Sequence, residues 1–245
     1  MIAGQVSALD TRVFEGLPSN KEIGEEVLNW EYPLMTSLQP VAEAGIVLQA
    51  SIKHGTGKWF SFQDTFSVTD SKGEPFAGGI HMVDHKNIVG SHRMMLKDAE
   101  GKALALAVED KTTLNKHFTI YGREPLAPGD ELKVEEEGIT FYPWYRISDI
   151  DDTHLDHRSV VVWTGKGFKP FLQVCPIPRH TSLLPPHKGA CLVRGAKDHA
   201  KQYGVVHKTK GEGLSGWEIV VSPGVDPSLM IVLAACMEHL VGWFA

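Results

Sequence analysis

The chain has 245 residues, 42% of them hydrophobic, and a formal net charge of −6. That hydrophobic share excludes a chain too polar to bury a core, and the acidic balance argues against a general nucleic-acid binder, which carries a basic footprint. The three cysteines, Cys175, Cys191 and Cys236, are odd in number and far apart, which excludes a disulfide framework and reads as small buried hydrophobes in a reducing compartment.

In chain order, Met1 to Asp10 shows neither a basic n-region nor an apolar h-region, so no secretory signal is expected. Lys21 to Trp30 suits a short helix capped by Ser19 or Asn20, and Pro33 and Pro40 stop its continuation. Residues 1–45 are expected to form an N-terminal arm packed on a main domain at 46–245. From residue 46 the pattern turns to period-two alternation, the mark of a strand with one wet face. Ile46, Leu48, Ala50 and Ile52 share one parity. So do Phe60, Phe62, Phe66 and Val68. Leu104, Leu106 and Val108 repeat the device with small alanines opposite, followed by Leu132 and Val134, then Ile139, Phe141 and Tyr145. Turn signals separate the runs: His54 to Gly57, Asp70 to Gly73, Asp98 to Gly101 and Glu137-Gly138. In each, glycine permits a positive φ, and an Asp or Ser can bond its own backbone. Pro185-Pro186 marks a rigid loop from Pro176 to Lys188. About a dozen strands result, which is the yield of a barrel or sandwich.

The C-terminus breaks this pattern. Asp226 is an N-cap, and Pro227 sits at the first helical position. The nine residues Leu229 to Met237 are apolar without interruption. They are too few to span a bilayer, which takes about 20. A helix over 227–241 that is apolar all round must be buried on every side. A barrel of more than about eight strands has room for one. The expected fold is therefore mainly β: a closed antiparallel barrel of about twelve strands around a buried apolar C-terminal helix.

Two stretches carry a resemblance. The first is Phe66 to Gly73, leading into Ser91 to Gly101, Leu104, Lys111 and Phe118 to Tyr121. The second is Trp217 to Asp226 followed by the apolar helix, with Val193 to Asp198 and Gly204 to Val206 before it. Together they resemble the LURP-one-related proteins of the tubby C-terminal-like superfamily, to which phospholipid scramblases are related. The resemblance spans residues 60–242. It implies a twelve-stranded barrel around a central helix, and it implies recognition of phosphoinositides by basic residues on the barrel wall.

On that reading Lys86, His92, Arg93, Lys97, Lys111, Lys116 and Arg123 are the candidate ligand-binding residues. Alternation puts Arg93 and Lys97 on one face and His92 on the other. Their cationic heads suit an anionic headgroup. The family's own ligands do not transfer residue by residue, and a solvated barrel exterior is the plainer account of these charges. A weaker metal reading uses His81, His85 and His92, with Asp84 between the first two, and the loop residues Asp152, His154 and His157. That loop, from Asp149 onward, lacks the glycine and terminal glutamate of an EF-hand. There is no G-x-S-x-G nucleophile elbow and no glycine-rich phosphate loop. No catalytic residue and no cofactor are expected. The expected function is a non-enzymatic binding module in signalling or stress response. Its partner would be a phosphoinositide, another anionic lipid, or a protein, and it would be cytoplasmic and at most peripheral to a membrane. The alternatives are a metal-assisted enzyme using the histidine-rich segments and a protein-interaction scaffold.

Overall fold

The structure, a computed structural model, describes residues 45–53, 63–86, 92–110, 117–125, 133–150, 159–164, 169–176, 190–196, 202–211 and 214–240. The expected N-terminal arm, all but Gly45, lies outside the described residues, as do Phe60, Phe62, Leu132 and the turn at 54–57. The strands are β1 (Ile46–Lys53), β2 (Gln63–Asp70), β3 (His81–Lys86), β4 (His92–Lys97), β5 (Ala103–Asp110), β6 (His117–Gly122), β7 (Val134–Glu136), β8 (Ile139–Ile150), β9 (Ser159–Thr164), β10 (Lys169–Pro176), β11 (Ala190–Gly195), β12 (Gln202–Gly211) and β13 (Leu214–Val221), and helix α1 spans Pro227–Leu240.

Twelve strands form one antiparallel sheet in the order β6-β5-β4-β3-β2-β1-β13-β12-β11-β10-β9-β8, with the short β7 added to the start of β8. β6 also pairs with β8, from His117 opposite Ser148 to Gly122 opposite Tyr142. Sequential neighbours dominate, and polar turns are seen in two of the described connections. Asp70 Oδ1 accepts the Lys72 and Glu74 backbone N–H groups at 2.8 and 3.0 Å. Asp98 Oδ1 accepts that of Lys102 at 2.7 Å. Gly73 and Gly101 both sit at φ +82°, where a side chain would be strained.

Residues directly opposite in an antiparallel pair share a face. One face carries Leu48, Phe66, Met94, Ile120, Val174 and Trp217 in a single core with α1. Twelve of the fourteen residues of α1 are buried, which leaves no wet stripe on the helix. Asp226 caps it as expected: its Oδ1 accepts the Ser228 N–H at 2.9 Å and the Ser228 hydroxyl. No helix among the described residues is long and apolar enough to cross a membrane.

Two runs differ from the alternation read in the sequence. On β5 it is Ala105 and Ala107 that face α1, opposite Leu96 and Met94. Small residues pair with large ones there, as close packing demands. Leu106 points to the outer face, into a second cluster with Met95, Ala103 and Phe141 beneath the β7–β8 hairpin, while Leu104 joins the α1 side at a register shift. On β8, Phe141 and Tyr145 do not share a face. Tyr121 pairs with Pro143 and Ile120 with Tyr145, so Trp144 is an extra residue. The bulge reverses the parity, sending Phe141 outward and Tyr145 to α1. Pro143 sits at this irregularity and Pro170 at another in β10, where a missing N–H costs no regular ladder bond.

Candidate functional site

The expected basic cluster divides between the two faces. Arg93 and Lys97 stand together on the outer face, and His92 points the other way, toward α1. The outer pair is not free. Arg93 is bonded to Glu136 of β7. Lys97 Nζ lies 2.9 and 3.0 Å from the two carboxylate oxygens of Glu137, in the turn after β7. Arg123 donates to the Ala103 carbonyl at 2.9 Å and lies over the Phe141 ring at 5.6 Å. All three cations therefore pin the β7–β8 hairpin over the outer cluster. Lys86 takes the register opposite His92. Lys111 and Lys116 lie outside the described residues.

The helix-facing side holds a polar corner where α1 ends. β3 contributes Asp84, β4 His92, β5 Glu109 and α1 His239. Alternation alone sends Asp84 inward after Met82, His92 inward before Met94, and Glu109 inward after Ala107. His92 Nδ1 lies 2.8 Å from Asp84 Oδ2, and His239 Nε2 lies 3.3 Å from the same oxygen. The two imidazoles stack at 3.9 Å between centroids. The His92 backbone N–H donates to Glu109 Oε2 at 3.0 Å, which fixes the start of β4. Asp84 is only 3% exposed, yet its Oδ1 has no hydrogen-bond partner among the described residues. Burial first, then His92, pushes the His239 imidazole below its usual value, against the pull of Asp84, Glu238 and Glu109. On the other side of this helix end, Lys208 Nζ pairs with Glu238 at 2.9 Å and lies over the Trp217 ring.

Of the described residues in the metal reading, His81, His85 and His92, only His92 belongs to this corner. His81 is on the opposite face of β3, in register with Lys97, its Nδ1 3.1 Å from the Gly79 carbonyl oxygen. His85 is in register with Arg93 on that outer parity. Asp152, His154 and His157 lie outside the described residues. The partners that His92 does find, Asp84 and His239, were not among the expected ligands. Their signal was a polar residue at the inward parity of three successive strands, matched by a histidine at the polar end of an apolar helix.

All three thiols are free, Cys191 and Cys236 buried and Cys175 half-buried. Burial is the leading cause that pushes each of them up. For Cys236, one turn before His239, the nearby Asp84 charge adds to it. Such thiols stay protonated and are poor nucleophiles.

Another buried acid lies on the outer face of β13. Glu218 is 3% exposed; Gln49 Nε2 donates to its Oε2 at 2.7 Å, while Oε1 has no partner among the described residues. Desolvation raises its carboxyl above the usual range, partly offset by Gln49. A carboxyl raised in the folded state favours folding below its unfolded value and loses that contribution as pH rises through its folded value. We therefore predict that Glu218→Gln, which removes the charge and keeps the shape, stabilises the protein at pH 7 by about 1 kcal/mol, or about 2–4 °C in Tm. The gain should vanish near pH 4. Thermal melts across that range check it, and a variant less stable than the parent at pH 7 would refute it.

No family model and no curated protein matches this chain.

Proposed function

We propose that this chain is a non-enzymatic binding module of the LURP-one-related, tubby-like kind, working in the cytoplasm and at membrane surfaces. In this reading the sheet is a closed barrel threaded by α1. The β6–β8 ladder, which joins the two sides of the sheet order, supports closure. The observation that carries the function is the burial of α1 on every side. A helix that fills the inside with apolar side chains leaves recognition to the outer face and the barrel ends.

Arg93 and Lys97 are the outer-face groups suited to an anionic lipid headgroup. Their present partners are carboxylates at a partly exposed surface, and such pairs contribute only about 0–1 kcal/mol. A polyphosphorylated headgroup brings more negative charge and bidentate acceptors for arginine, so it displaces Glu136 and Glu137 rather than meeting free cations.

Liposome sedimentation with phosphatidylinositol phosphates tests this. Binding should appear at low salt and fade at high salt. Arg93→Glu and Lys97→Glu should each weaken it at least about tenfold, given about 1 kcal/mol per basic residue at an anionic surface. Glu136→Gln combined with Glu137→Gln should strengthen it, since the competing carboxylates are gone. No binding at low salt, or binding indifferent to all four substitutions, would overturn the lipid reading and favour a protein partner.

A further inference from the structure

We propose that Asp84, His92 and His239 form a binding site for a single divalent transition-metal ion of zinc-like preference, at the end of the sheet where α1 stops. One ligand atom from each residue lies within 4.8 Å of the other two. Tetrahedral zinc holds nitrogen and carboxylate oxygen at about 2.0–2.2 Å, so its ligand atoms sit about 3.3–3.6 Å apart. Small side-chain rotations close the difference, and one Asp84 oxygen is already within 3.3 Å of a nitrogen on each ring. Two imidazoles and a carboxylate make a borderline donor set that suits zinc better than calcium or magnesium, which take oxygen.

Two polar atoms of this corner are unsatisfied by the described protein groups. Among the described residues, Asp84 Oδ1 and His239 Nε2 are buried without a hydrogen bond. A buried carboxylate oxygen lacking a donor costs free energy, and a cation supplies what the protein does not. The two imidazoles lie 3.9 Å apart beside one carboxylate, and each, when neutral, carries one nitrogen lone pair that can serve as a ligand. Glu109 completes the surroundings. It is 5% exposed and accepts the backbone N–H of His92, which fixes the start of the strand that carries this ligand. His92 and His239 are 15% and 16% exposed, so the corner lies close enough to solvent for an ion to enter once these side chains rotate. Three protein ligands leave a fourth position for water or an exogenous anion.

The site also has a mechanical consequence. Its ligands come from two wall strands and from the last turn of the core helix. A bound ion ties that turn to the wall, so metal binding raises the thermal stability of the whole chain.

Isothermal titration of the full-length, chelator-treated protein with zinc chloride tests the proposal, together with X-ray absorption at the zinc edge. The expected result is one equivalent bound, with a shell of two imidazoles and oxygen. His92→Gln and His239→Gln, on different elements, should each lower affinity more than about tenfold and abolish the zinc-dependent rise in Tm. The absorption spectrum of the unaltered protein reads the same ligand set should either variant fail to fold. Absence of binding at micromolar zinc would overturn the proposal. So would an ion retained at full affinity in both variants, or a shell without two imidazoles. The corner would then be a hydrogen-bonded Asp84–His92 pair between two strands, with His239 only stacked on it. The lipid test reads a different face and is unaffected by any of these outcomes.

Discussion

Leu233→Asp should leave no folded protein. Leu233 lies in the middle of α1, fully buried, with apolar residues on every side. An isolated carboxylate there loses its hydration among apolar neighbours, since the polar residues of α1 and its cap lie at its ends: Asp226 and Ser228 at one, Glu238 and His239 at the other. Burying an unpaired charge costs several kcal/mol even after relaxation, and the leucine packing is lost as well. A domain is stable by only about 5–15 kcal/mol. Circular dichroism and soluble yield provide the measurement. Leu233→Met, which roughly conserves volume, should fold and lose less than about 1.5 kcal/mol. A soluble Leu233→Asp protein with a cooperative melt would mean that α1 is not the centre of the core.

The ease of reading that helix contrasts with the difficulty of reading the polar corner. Asp226-Pro227 followed by an apolar run is local information, and local rules decide cap, start and burial. The turns at Asp70 to Gly73 and Asp98 to Gly101 were legible for the same reason. So was the shared face of Arg93 and Lys97, since it follows from strand parity. Their partners were not: Glu136 and Glu137 lie 43 and 40 residues away, brought near by a hairpin folding over the outer face. Parity itself misled at β5 and β8. An alternating sequence does not say which face is inside when both faces are covered, and the Trp144 bulge exchanges them mid-strand. The pairing of Asp84 and His92 with His239 needed the full path of the chain, because β3 and β4 meet the last turn of α1 only once every intervening strand is placed.

Gly204→Ala should be the most damaging of the conservative substitutions. A Cβ at Gly204 would lie 2.2 Å from the Val220 carbonyl oxygen and 2.8 Å from Met230 Cε. Gly204 does not have a positive φ, so the glycine is needed for space and not for backbone freedom. It sits opposite Val221 on β13 and Val193 on β11, next to a register irregularity, with α1 close behind it. A flexible methionine can move aside; a carbonyl held in a ladder cannot without shifting the strand. Overpacking against backbone should cost about 3 kcal/mol or more, or roughly 10 °C in Tm for a chain of this size. Thermal and urea unfolding measure it, and the double variant with Met230→Ala separates the two obstacles. Met230→Ala alone opens a cavity and costs about 2–5 kcal/mol. If the carbonyl is the obstacle, adding Gly204→Ala to it costs as much again as in the parent. If the methionine were the obstacle, the double variant would be no less stable than Met230→Ala, and the close approach of β12 to β13 would not be what requires glycine at this position.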